Sequence, residues 1–270
     1  MKKFITLLTL AVLFLGVNEK GLAFFGRKKV SENTIKVGAT PVPHAEILEL
    51  VKDELKEKGY DLEIVEFTDY VTPNISLNDG GLDANYFQHV PYLEAFSSDR
   101  NLDLVSAGTV HVEPLGLYSE KVKSLSDLPE GATIAIPNDP SNGARALILL
   151  EEAGLIVVDP TAGLKATEHD ITSNPNGYKF RVLEAAQLPR VLRDVDAAII
   201  NGNYALESNL NPVEDSILLE GAESPYANIV AVKNGNETDP KIEALLKALQ
   251  SEKVKEYILA NYKGGVVPAF

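Results

Sequence analysis

The chain has 270 residues, with 39 acidic and 25 basic side chains and a formal charge of −14. So acidic a surface repels nucleic-acid phosphates. The absence of cysteine excludes disulfides, a thiol nucleophile and a thiolate metal centre.

The elements follow in chain order. Lys2 and Lys3 open the chain, residues 4–17 are apolar and uncharged, and Gly21-Leu22-Ala23 supplies small residues for cleavage. This is the pattern of a secretory signal over 1–23; the apolar run is shorter than the ~20 residues of a spanning helix. An uncleaved anchor is the alternative. Cleavage after Ala23 leaves 247 residues and a charge near −16, enough chain for one large or two medium domains. Residues 34–39 alternate as a half-buried strand does, 44–58 place Ile47, Leu48, Val51 and Leu55 on one helical stripe closed by Gly59, and 62–67 read as a second strand. Strand, helix, strand implies a parallel pair with a right-handed crossover. Further strands are expected at 103–108, 133–137, 179–184, 197–200 and 229–232. Helices are expected at 143–153, 190–194, 241–249 and 253–262, with a surface loop at 163–177. The alternation defines an α/β class. No linker tract is visible, so any two lobes are joined by tight crossings.

Four polar constellations stand out. The segment Asp83-Ala84-Asn85-Tyr86-Phe87-Gln88-His89-Val90-Pro91-Tyr92 mixes amides, an imidazole and three aromatics. Such side chains suit a pocket that grips an apolar group and orients it by a few hydrogen bonds; an aromatic-rich helix start is the alternative. In Pro137-Asn138-Asp139-Pro140-Ser141-Asn142-Gly143-Ala144-Arg145, Ser141 or Asn142 is positioned to cap the following helix. Arg145 then falls in the first turn, where a cation opposes the helix dipole. An anion held there in use explains it, by a forked contact; an arginine reaching into solvent is the other reading. Ile199-Ile200-Asn201-Gly202-Asn203 runs an apolar strand into amides at its carboxyl end, where ligands bind in open α/β sheets. Ser224-Pro225-Tyr226-Ala227-Asn228 precedes the last strand. Asn201 and Asn228 suit an α-amino or α-carboxylate group, or a turn. No nucleophile elbow, zincin, P-loop or dinucleotide motif occurs. A metal set from His44, His89 and His111 lacks a close histidine pair, and neither metal nor cofactor is expected.

The blocks 84–93, Glu113-Pro114-Leu115-Gly116-Leu117-Tyr118-Ser119, 136–142 with Arg145, and Ile200-Asn201-Gly202-Asn203-Tyr204-Ala205 resemble the NlpA family of methionine-binding proteins (MetQ type), from about Thr34 to Phe270. The resemblance implies a two-lobed periplasmic-binding-protein fold with two chain crossings, serving an ABC importer: a membrane permease and its ATPase. It implies that Arg145 holds the ligand carboxylate, that Asn142, Asn201 and Asn228 fix its polar end, and that Tyr70, Phe87 and His89 line the side-chain pocket. Tyr86, Tyr92, His111 and Asn203 are further candidates. The ligand expected is L-methionine; D-methionine or a methionine-containing dipeptide is the alternative, and a metal ion a more remote one. Relatives are lipoproteins, whereas here Leu15-Gly16 precedes Val17. The expectation is thus an exported, non-enzymatic monomer, periplasmic or at the cell surface, without a lipid-modified cysteine. One lobe is expected from 33–118 with 226–270, the other from 119–225.

Overall fold

The structure is a computed structural model that describes residues 33–221 and 225–270. The expected signal over 1–23, the cleavage site and Ser224 lie outside the described residues. No helix among the described residues is long and apolar enough to cross a membrane.

The chain starts with β1 (Thr34–Ala39), α1 (Glu46–Glu57), β2 (Asp61–Glu66), α2 (Thr72–Asn78), β3 (Ala84–His89), α3 (Val90–Arg100) and β4 (Leu104–Val112). It continues with β5 (Gly116–Tyr118), β6 (Thr133–Pro137), α4 (Pro140–Glu152), β7 (Val157–Val158), β8 (Ile171–Ser173), β9 (Lys179–Leu183) and β10 (Ala197–Ile200). Then come α5 (Gly202–Glu207), α6 (Pro212–Asp215), β11 (Ser216–Leu219), β12 (Ala227–Lys233), α7 (Pro240–Leu249), α8 (Glu252–Tyr262) and β13 (Val267–Pro268). One sheet has the order β13-β4-β12-β3-β1-β2, and another the order β11-β5-β10-β6-β9. The chain passes between them twice, from β4 to β5 and from β11 to β12, and forms two α/β lobes.

Local chemistry explains the elements that place the cleft. α1 buries Ile47, Leu48, Val51 and Leu55, and Gly59 follows its C-cap at φ +87°, a conformation that suits glycine. β1 pairs in parallel with both β2 and β3. β3 is buried along its whole length, hence its mixed composition. Its partner β12 pairs Ile229 with Gln88 and Val230 with Tyr86, skipping Phe87. This bulge shifts the alternation, so that Gln88 shares a face with Asn85, and the two amides bond each other and Asn74. The segment therefore reads poorly as a strand by period alone, although it is one; α3 starts only at Val90.

Four expectations change. α4 starts at Pro140 with Asp139 as N-cap, accepting from the Asn142 backbone N–H, because proline is preorganised for the first helical position. Arg145 consequently lies in the second turn, where the dipole is weaker. Residues 116–118, grouped by the sequence with the first segment, pair with β10 and β11; three residues with Pro114 among them separate this short strand from β4. The stretch 163–177 holds short 3-10 turns and β8, paired with β7. The helical stretch expected at 190–194 is a 3-10 segment over Ala185–Val191.

α4 carries two of the candidate site residues and packs Leu147 and Leu150, both 0% exposed, into the second lobe's core. Leu147→Ala is expected to cost ~2–5 kcal/mol through lost burial and a residual cavity. Leu259→Ala, at a position 55% exposed, should cost less than ~0.5 kcal/mol. Urea midpoints with unchanged slopes measure both; equal midpoints would remove α4 from the core.

Candidate functional site

A cavity lies where β3, α4, α5 and β12 converge. Tyr70, Phe87, His89, Asn142, Arg145, Asn201 and Asn228 all line it, together with Tyr92 and Asn203. Tyr86 and His111 do not. They lie beneath its floor, where the Tyr86 hydroxyl bonds His111 Nδ1. Gln88, Glu113 and Gly202 line the cavity too, and sequence reasoning did not select them. Glu113 carried a signal, as an isolated acid in the apolar run from Val110 to Leu117.

The polar wall is tightly ordered. His89 Nδ1 accepts from the Tyr92 backbone N–H at 3.2 Å. Its Nε2 therefore carries the proton and donates to Asn142 Oδ1 at 3.1 Å. That oxygen also accepts from Asn201 Nδ2 at 2.9 Å, while Asn142 Nδ2 donates to both Asp139 oxygens at 3.0 Å. Each amide orientation follows from these partners. One acceptor is left over: Asn201 Oδ1 is buried with no partner among the described residues, a costly state unless a ligand fills it.

Arg145, 3% exposed, spends its donors on protein. Nε donates to Glu220 Oε1 at 2.8 Å, and Nη2 donates to Glu220 Oε2 and, at 2.9 Å, to the Glu113 carbonyl. The guanidinium lies 4.2 Å from the centre of the Tyr226 ring. Arg145 thus does not reach into solvent. Its Nε/Nη2 edge is filled by a carboxylate of the chain.

At the floor, the Glu113 carboxylate accepts from His111 Nε2 at 2.8 Å and lies 3.2 Å from His44 Nε2. His44 Nε2 also bonds Asn228 Oδ1 at 3.0 Å, and its Nδ1 bonds the Thr40 hydroxyl at 2.7 Å. The donor atoms of His44, His111 and Glu113 lie within 4.8 Å of one another; His89 is not in this group, and each atom already has a hydrogen-bond partner. Burial, more than the nearby charges, pushes His44 down to about 4 and His111 and His89 down to about 3. All three are neutral near pH 7. Burial raises Glu113, opposed by His44 and Arg145.

Aromatic rings close the other side. Tyr70 lies 5.8 Å from Phe87, 5.7 Å from Tyr92 and 4.9 Å from Tyr204, between ring centres. The Tyr70 hydroxyl donates to Asn203 Oδ1, and the Tyr204 hydroxyl to the Thr68 carbonyl at 3.3 Å. These bonds, with His89 to Asn142, cross from one sheet's elements to the other's and shut the cleft.

The NlpA lipoprotein family model matches residues 35–270. Membrane lipoprotein TpN32 of Treponema pallidum (strain Nichols) is 47% identical over 242 residues, 89% of this chain and 90% of that protein. Methionine-binding lipoprotein MetQ of Bacillus subtilis (strain 168) is 44% identical over 239 residues, 87% of each. The structure of a nutrient-binding protein from Burkholderia cenocepacia bound to methionine superposes with a TM-score of 0.85 at 49% identity, covering 87% of this chain and 100% of that one. With matched sequence over nearly all the described residues and the same fold, this chain belongs to the NlpA lipoprotein family.

Proposed function

We propose that this chain captures methionine in the closed cleft and delivers it to an ABC importer, a membrane permease with its ATPase, without catalytic turnover. The observation that carries the reading is the pairing of two unlike ends in one cavity. Arg145 brings a cationic donor to one place, while the orphaned Asn201 Oδ1 and the Glu113 carboxylate offer acceptors at another. An α-amino acid has the complementary carboxylate and ammonium. The Tyr70, Phe87 and Tyr92 rings suit an unbranched thioether, since sulfur at an aromatic edge gains roughly 0.3–1.5 kcal/mol. The methionine named for the B. subtilis relative and bound in the B. cenocepacia structure supports the same ligand.

The lobes of this reading are 33–112 with 227–270, and 116–219, joined by 113–115 and 220–226. Tyr86 and His111 act through Glu113 and do not touch the ligand. The chain works outside the cytoplasm as a monomer, as an exported solute receptor does.

Calorimetric titration with the amino acids tests the ligand. Methionine should bind and isoleucine, branched at Cβ, should not; equal affinities would refute the slot, and comparing the two enantiomers and a methionine dipeptide fixes the form taken. Arg145→Ala should lose ~2–5 kcal/mol, about 30- to several-thousand-fold. A loss under ~0.7 kcal/mol, threefold, would place the carboxylate elsewhere.

The neutral histidines give a pH signature. Their folded values, about 4 for His44 and about 3 for His89 and His111, lie below the ordinary 6.5. The unfolded chain therefore takes up protons first as pH falls, so the stability held above pH 6.5 is lost between 6.5 and about 3. Glu113, Asp139 and Glu207, raised by burial, bind protons more readily when folded and offset part of this. Since the unfolded imidazoles titrate at about 6.5, inside the window, the urea midpoint should fall from pH 7 to pH 5, less steeply in His89→Gln. A flat wild-type profile would mean that the imidazoles are charged in the fold.

A further inference from the structure

Nothing in the reading above requires the second carboxylate on Arg145. Glu220 is nonetheless built in with care. Its backbone N–H donates to the Leu115 carbonyl at 2.9 Å, continuing the β5–β11 ladder past Leu219 and Gly116. Its side chain, 12% exposed, accepts three N–H groups: Arg145 Nε at 2.8 Å, Arg145 Nη2, and the Leu115 backbone at 3.3 Å. The second proton of Nη2 goes to the Glu113 carbonyl at 2.9 Å. Three of the five guanidinium protons are consumed in this way, and the Tyr226 ring covers one face. No hydrogen bond among the described residues uses Nη1.

We propose that Glu220 is a positioning residue for ligand recognition: it grips the Nε/Nη2 edge of Arg145 so that Nη1 alone is presented to the ligand carboxylate. The inference deepens the amino-acid reading and rests on it. The argument is geometric and electrostatic. A long side chain ending in a planar fork has many orientations, and each one lost in advance is one the ligand need not pay to fix. The Glu220 fork, the Glu113 carbonyl and the Tyr226 ring remove them. Glu220 also cancels the Arg145 charge, so the empty cleft does not bury a bare cation. A zwitterion brings no net charge, which leaves that balance intact. A carboxylate docked on Nη1 is held from one side, and its place is set by residues that never touch it.

Glu220→Gln keeps the volume but turns one acceptor into a donor facing Nε or Nη2, which breaks the fork. Titration of the full chain with methionine and with methionine amide, which lacks the carboxylate, reads the effect; where the amide is too weak for calorimetry, chemical-shift titration replaces it. The expected result is a loss of tenfold or more for methionine, about 1.4 kcal/mol, and of less than threefold for the amide. Equal losses for both ligands indicate only a structural role, and an unchanged methionine affinity denies any role; either overturns the proposal. A second measurement needs neither ligand nor variant. The Arg145 Nε–H resonance of the ligand-free protein should be protected from exchange; rapid exchange overturns the fork even if Glu220→Gln does not fold. Wild type that binds no amino acid would overturn the functional reading instead, and the Nε–H resonance would then decide the fork by itself.

Discussion

A buried guanidinium cannot stand alone, and the arrangement of this cleft follows from that constraint. Arg145 is fixed on α4, and α4 is fixed by leucines packed against the second sheet. The countercharge has to come to it. It arrives from Glu220, on the segment leaving β11, while the carbonyl of Glu113 comes from the segment leaving β4. One side chain therefore gathers both places where the chain crosses between sheets. Without such compensation, burying the cation would cost several kcal/mol, and α4 would have to turn it to water.

The rest of the polar wall obeys the same accounting with neutral groups. His89 Nδ1 faces a backbone N–H and its Nε2 an amide oxygen, which a neutral imidazole satisfies and a charged one does not. His44 and His111 each set one nitrogen against a hydroxyl and the other against an acceptor, and burial lowers the titration of all three. Asn142 is held by Asp139 below and by His89 and Asn201 above. Preorganisation of this kind lowers the entropy lost when a ligand is ordered, and among the described residues of this wall it leaves Asn201 Oδ1 as a buried acceptor with no partner.

Much of the architecture was legible in the sequence. The strands at 34–39, 133–137 and 197–200 have their observed limits in the sequence, the first by its alternation and the other two as apolar runs ended by polar residues. The seven ligand-binding candidates line one cavity; Asn142, Arg145, Asn201 and Asn228 stand out in the sequence as polar residues at strand ends and helix starts, whereas Tyr70, Phe87 and His89 follow from the resemblance to the NlpA family. What was missed depended on distant partners. β3 hid because its bulge at Phe87 breaks the two-residue period and because its buried amides satisfy each other through Asn74. The Arg145–Glu220 pair joins residues 75 positions apart, and no local pattern announces it. The start of α4 was misplaced by three residues because Pro140 was read as part of the turn. Tyr86 and His111 are candidates through the resemblance, and only the fold shows them outside the cavity lining, bonded to each other.

The two crossings are not independent threads. Leu115 and Glu220 face each other across a backbone hydrogen bond, and the Leu115 amide also reaches the Glu220 carboxylate. Two strips bonded side by side behave as a leaf spring rather than as two swivels. A hinge motion about the line that runs across Leu115 and Glu220 leaves both hydrogen bonds intact, whereas a slide of one strip past the other would break them.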